Sequence, residues 1–367
     1  MTARDNEILF DLTTALSLFV EGIKLEQFLL FNRVLREVED DLRKLFGRIN
    51  HKTLDGLTKA ELNRLLFTLR KSQSRIYSAY TAKLVEQLEA FMQLRIEIGA
   101  VLYASAYKTA KTGEPVQLST PGAFDFIEDE SKSLPFSPLF GLAVILPTGA
   151  PSLWSTIKNA PIAANGILPL SFIAAFGKSA QAAVENSIRK SYANRDTVAA
   201  ALASLVDTSA KQGFSSALSR IALQARTVID MTVGHVDQYA SQAVASAIYN
   251  RYVWVSILDD GTTQICRSRN KRSFRYGDGP IPPAHYGCRS VTIPLASLFG
   301  DLDSPTLYTW LKRQSEEVQA EFIGAENAAL LSADKINAKQ FATLKVGKAL
   351  PLNQFKSKLG LLINMVR

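Results

Sequence analysis

Cysteine is nearly missing from this chain. Cys266 and Cys288 are the only two in 367 residues, so one disulfide or one shared metal site is the most they can form. That excludes the multi-bridged scaffolds of small secreted domains and fits folding in a reducing cytoplasm. A secretory signal is missing too: Met1-Thr2-Ala3-Arg4-Asp5-Asn6-Glu7 sets acids beside the first apolar run, and no small-residue cleavage site follows it. The protein is therefore expected to stay in the cell that makes it. No repeat of fixed period stands out. A nucleotide loop is also lacking, because Gly177-Lys178-Ser179 has the end of such a motif but Phe172 stands where its opening glycine is required.

The chain lacks an unbroken apolar run as well. Between positions 134 and 177 the only charged residue is Lys158, yet Pro135, Pro138, Pro147, Pro151, Pro161 and Pro169 interrupt the stretch. A membrane span needs about 20 apolar residues in one helix. Buried packing against other subunits is the reading for this segment, with transient membrane contact as the alternative. What is present is a globular composition, 47% apolar and 21% charged, which excludes wholesale disorder. The length suits two or three lobes rather than one core. A net charge of +8 and a pI near 9.3 favour contact with polyanions such as DNA without naming a partner.

Helical periodicity dominates the first third. Leu9, Leu12, Leu16, Phe19, Ile23, Val34, Val38, Leu42 and Leu45 recur at three- and four-residue steps, with Gly22 and Gly47 as places to bend or stop. Thr58-Lys59-Ala60-Glu61 has the form of a capping box, and Thr58 is the expected N-cap of a second helix. From Leu62 to Leu102 the apolar pattern continues without proline until Pro115, a helix of roughly 70 Å if unbroken. Prolines then break the chain, and helical spacing rich in alanine and serine returns after Ser179. His235 falls in that run with no second ligand at four-residue spacing, so it reads as an ordinary packed or exposed helix residue.

Chemistry concentrates between positions 252 and 294. Val253 and Val255 alternate with Trp254 and Ser256 in a strand-like pattern, Asp260-Gly261 supplies a turn, and Pro282-Pro283-Ala284-His285-Tyr286-Gly287-Cys288-Arg289 closes the segment. On Trp254, Asp260, Thr262, Thr263, Cys266, Phe274, Pro282, Pro283, His285, Cys288 and Arg289 the chain resembles the phage Mu F-like head-morphogenesis family of minor head proteins. The motif covers about 40 residues, and the helical stretch before it agrees with the family in character only. Two departures are Ser290 and Thr263, where many and some members, respectively, carry cysteine.

The same residues support several chemistries. Cys266, His285 and Cys288 can converge if the intervening basic stretch doubles back, and thiolates with imidazole suit zinc, Asp260 being a candidate fourth ligand. The opposing reading is a structural brace of Trp254, Asp260, Thr262, Cys266, His285, Cys288 and Arg289, in which Asp260 accepts from backbone amides or Arg289, His285 pairs with a carbonyl and the thiols are buried. The brace is preferred because two cysteines and one histidine fall one ligand short of a closed site. A Cys–His catalytic pair and a Cys266–Cys288 disulfide are further alternatives, but no oxyanion-hole signature is present and no enzyme is expected. Arg267, Arg269, Lys271, Arg272 and Arg275, interleaved with Phe274 and Tyr276, form a basic stretch suited to phosphate or an acidic protein surface.

The expected fold is mainly α with an elongated N-terminal helical region and a small C-terminal α+β module. Its segments are a long-helix region at 1–110, a Pro/Gly-rich apolar middle at 111–178, a helical bundle plus the Mu F-like α+β module at 179–300, and a helical tail at 301–367. The resemblance implies a structural protein held inside the phage head in several copies after assembly in the host cytoplasm; no cofactor is expected, zinc on Cys266, His285 and Cys288 being the alternative. Portal and other head proteins and packaged DNA, gripped without sequence preference, would be its partners. A membrane-active ejection protein resting on positions 134–177, and a zinc or thiol enzyme on Cys266, His285 and Cys288, are the rival functions.

Overall fold

The apolar periodicity at the N-terminus becomes a single helix, α1 (Ala3–Phe46), which passes through Gly22 and stops at Gly47, whose amide donates to the Arg43 carbonyl. A 3-10 turn at Leu54–Gly56 follows, and α2 (Lys59–Thr112) runs 54 residues without a break. Its start is the capping box read from the sequence. The Thr58 amide donates to Glu61 Oε2 at 2.8 Å, and the Glu61 amide donates back to Thr58 Oγ1 at 3.3 Å. This computed structural model describes residues 3–112, 150–206, 216–256, 262–295, 307–341, 344 and 350–355. The fold is mainly helical with one small sheet near its C-terminus.

The remaining helices are α3 (Ala150–Asn159), α4 (Pro169–Ala193), α5 (Val198–Val206), α6 (Ala217–Ser246), the short α7 (Gln264–Arg269), and α8 to α12 at Leu307–Lys312, Glu316–Ile323, Ala325–Ser332, Ala338–Phe341 and Leu352–Phe355. Proline opens α4 because its missing N–H is one the first turn leaves unpaired in any case. Gly177, Lys178 and Ser179 lie inside α4, which leaves no loop there to cradle a phosphate. Trp154, Ile157 and Ile162 from the apolar stretch are buried. Positions 134–149 of that stretch are outside the described residues, and among those described no helix is long and apolar enough to cross a membrane.

Two compact units form, each from separated pieces of chain, and α1, α2 and α6 lend residues to both. One comprises Gln27–Gln87 and Ile167–Asp230. Its aromatic centre is Phe31, with ring centroids 4.9 Å from Tyr80 and 5.4 Å from Phe176. On its exterior Arg70 makes a two-pronged ion pair with Glu185 at 2.7 and 2.8 Å.

The other unit comprises Met1–Glu26, Leu88–Gly166 and Met231–Arg367, and it holds the sheet. Strands β1 (Arg251–Val255), β2 (Ser273–Arg275) and β3 (Val291–Pro294) are antiparallel in the order β2-β1-β3. The register sets Tyr252 opposite Phe274 and Trp254 opposite Thr292. The alternating pattern sets Val253 and Val255 on one face of the strand and Trp254 and Ser256 on the other. In the structure Tyr252, Val253, Trp254 and Val255 are all buried, because the middle strand of this sheet is covered on both sides. Ile257 and Leu258, the rest of the expected alternation, lie outside the described residues. C-terminal helices complete this unit: Trp310 Nε1 donates to Asp11 at 2.9 Å and Phe322 packs 5.2 Å from Phe19.

A buried polar chain ties α2 to α6 and α6 to the sheet. Arg95 Nε donates to Asp237 Oδ1 at 2.7 Å, Gln238 Nε2 donates to Asp237 Oδ2 at 2.7 Å, and Gln238 Oε1 accepts from both the amide and the hydroxyl of Thr292 at 3.1 Å. Burial opposes the Arg95 charge, but the Asp237 carboxylate and Tyr103 outweigh it and hold the guanidinium above its ordinary value. Most members of this network answer one another, and Arg95 Nη1 is the buried donor left without a partner among the described residues.

Candidate functional site

Strand β1 carries Trp254 and, just past its C-terminal end, Ser256, and the chain returns to them twice. The first return is α7, which presents Cys266. The second is the segment 282–290, which follows β2 and presents His285 and Cys288 before entering β3. Close packing guides that second return. A Cβ on Gly279 would stand 2.1 Å from Tyr252 Oη and 2.5 Å from Phe274 Cβ, so only glycine lets the loop pass over the sheet. Tyr252 Oη then donates to the Pro280 carbonyl at 2.8 Å. Pro282 and Pro283 are buried, joined by a cis peptide bond, and Gly287 takes φ +69° to turn the chain between His285 and Cys288.

The three metal-type side chains meet. Both cysteines are free, with Cys266 1% exposed and Cys288 half-buried. Their sulfurs are 3.7 Å apart, His285 Nε2 is 3.1 Å from Cys266 Sγ, and all three ligand atoms lie within 4.8 Å of one another. His285 Nδ1 is 2.8 Å from the Tyr286 carbonyl oxygen. A carbonyl only accepts, so the proton of the neutral ring sits on Nδ1 and the Nε2 lone pair faces the sulfurs. The thiol contact with Cys288 and burial push the Cys266 thiol up, while the hydroxyls of Ser290 and Thr263 act in the opposite sense. The contact with Cys266 holds the Cys288 thiol down at about 5 against burial, assisted by Ala284 and Ser290 backbone and by His285.

Beneath this trio is a residue that sequence reading treated only as a polar strand position. Ser256 Oγ accepts from Trp254 Nε1 at 3.1 Å and donates to the Cys266 carbonyl at 2.9 Å, and its amide donates to Asn270 Oδ1 at 2.9 Å. The Ser290 hydroxyl stands 3.1 Å from the same oxygen. Ser256, buried at 4% exposure, therefore joins β1, α7 and the return leg. The signal for it was a serine inside an otherwise apolar strand.

The other expected residues divide. Thr262 takes part through its carbonyl, which accepts from Arg267 Nε at 3.0 Å. Arg289 is exposed, and Asp260 lies outside the described residues. In the basic stretch, Arg269 lies over the Trp254 ring at 5.1 Å and Arg272 over Phe274 at 5.9 Å. Lys271, Arg272 and Arg275 are exposed. His235, elsewhere on α6, is 1% exposed, its Nε2 donating to the Ile157 carbonyl at 3.1 Å. No family model, curated protein or solved structure matches this chain.

Proposed function

We propose that this chain is a minor structural protein of a phage head of the Mu F-like kind, lying inside the particle beside the portal. It acts in head assembly, DNA packaging or genome ejection through contacts with other head proteins and non-specific contacts with DNA. One observation carries the reading. Trp254, Cys266, Phe274, His285 and Cys288, five of the residues behind the sequence resemblance, come together around one three-stranded sheet, and Pro282 and Pro283 are buried in the same segment. The motif is thus a folded unit with an interior, as an architectural element requires. The exposed cations on the outer side of the same hairpin supply a surface for phosphate.

Cys266 is unsuited to be the nucleophile of a thiol enzyme: it is the sulfur in contact with the imidazole, yet it is shut off from solvent. Mass spectrometry of purified virions tests the proposal: the chain is expected in several copies per particle, co-purifying with the portal. Particles that contain none of it would end the reading. His285→Ala is expected to loosen the sheet and lower incorporation into heads, measured as the chain-to-portal ratio in purified particles.

A further inference from the structure

We infer that Cys266, His285 and Cys288 form a zinc site with three protein ligands and a fourth position taken by solvent. The sulfurs stand 3.7 Å apart, and a tetrahedral zinc with Zn–S bonds of about 2.3 Å sets its sulfurs about 3.8 Å apart. A disulfide would bring them to about 2.0 Å, so the thiols are unbonded, and their contact distance is one that a shared ion can occupy without moving them. The imidazole is prepared for the same ion. Its Nδ1 is committed to the Tyr286 carbonyl, the arrangement by which metal-binding histidines fix ring orientation and aim the Nε2 lone pair. Nε2 needs to draw back only slightly from 3.1 Å to reach the sulfur-to-nitrogen spacing of about 3.6 Å in such a tetrahedron.

The surroundings fit a site of this type. The ligands come from two chain segments, α7 and the return leg, that Ser256 already holds together from below. Cys266 is sealed, whereas His285 and Cys288 reach partly to solvent, which leaves room for a water at the fourth position. Thiolate and imidazole select zinc over hard cations such as magnesium or calcium. Binding swaps the thiol protons for the metal with no change of oxidation state, the protons leaving to solvent. The inference stands apart from the head reading, since it concerns the purified chain.

Cobalt(II) added to the reduced, metal-stripped full-length chain is the probe. The expected result is saturation at one cobalt per chain, with a thiolate-to-cobalt charge-transfer band and the intense visible bands of four-coordinate cobalt, both displaced by zinc. Cys266→Ser and His285→Gln should lose the bands. Cys288→His keeps a ligand at the half-buried position and should retain bound cobalt with about half the charge-transfer intensity. The wild-type titration does not depend on the folding of any variant. Absence of a charge-transfer band while both thiols titrate as free, or recovery of a Cys266–Cys288 disulfide from protein that never binds cobalt, would overturn the inference.

Discussion

At the scale of single residues, His235 shows what burial does to a group that sequence could only call helical. Burial holds its imidazole at about 4 against an ordinary 6.5, the hydrogen bond to Ile157 acting weakly the other way. Between those two values the unfolded chain takes up a proton on this ring that the folded chain refuses. Stability is therefore fully present above about 6.5 and is lost as the pH falls toward 4, by up to about 3 kcal/mol. Urea midpoints measured across that window should fall with acid in the parent and flatten in His235→Gln. Gly279 makes the steric counterpart. Gly279→Ala drives a methyl into Tyr252 and Phe274 and should destabilise the protein by on the order of 1–3 kcal/mol in thermal melts, as overpacked sites do. Cys266, His285 and Cys288 were legible as a group from residue type and spacing. Ser256 and Ser290 were not, because a serine acquires its role only from whatever the fold sets within reach of its hydroxyl.

At the scale of elements, the start of α2 and the long runs of α1 and α2 were the most legible features, since capping and periodicity act between residues a few positions apart, whereas α4 begins at Pro169, ten residues before the spacing at Ser179 suggested. Thr58 and Glu61 made the box that their spacing announced. The attachment of α6 to the sheet was invisible for the opposite reason. Gln238 and Thr292 are far apart in sequence and neither belongs to a recognisable motif, yet Gln238 Oε1 takes both the amide and the hydroxyl of Thr292. Gln238→Leu leaves the buried Thr292 amide without that acceptor, and equilibrium unfolding should show a loss of about 1–3 kcal/mol. The apolar stretch that raised the question of a membrane is in part an internal surface, since Ile157 and Ile173 are buried.

At the scale of the whole molecule, the packing groups stretches that are distant in sequence: residues of α1 before Gln27 share a unit with α8 and α9, where Trp310 reaches Asp11 and Phe322 reaches Phe19. Pairings of that range leave no trace in local composition, and so no periodicity or proline count could have announced them. Net charge, by contrast, is a property of the whole that sequence states outright. A basic protein of +8 with exposed cations on one hairpin should bind DNA without sequence preference and with strong salt dependence. Neutralising Lys271, Arg272 and Arg275 together should lower the slope of log affinity against log salt by about one for each cation that contacts phosphate. A slope unchanged in fluorescence anisotropy titrations would mean that the DNA surface is elsewhere. Arg269 is the wrong choice for this test, because it is half-buried over the core residue Trp254, whereas Arg272, though over Phe274, is exposed.

The bond between Gln238 and Thr292 also bears on how such a protein can be recombined. A crossover that cut the gene just before β1 would carry the recognisable motif into a new host chain while leaving behind the acceptor that answers the inner face of β3. The transplanted strand would then depend on a foreign helix happening to offer a glutamine at the right height. Viable exchanges should instead have their breakpoints upstream of α6, so that helix and sheet are inherited together.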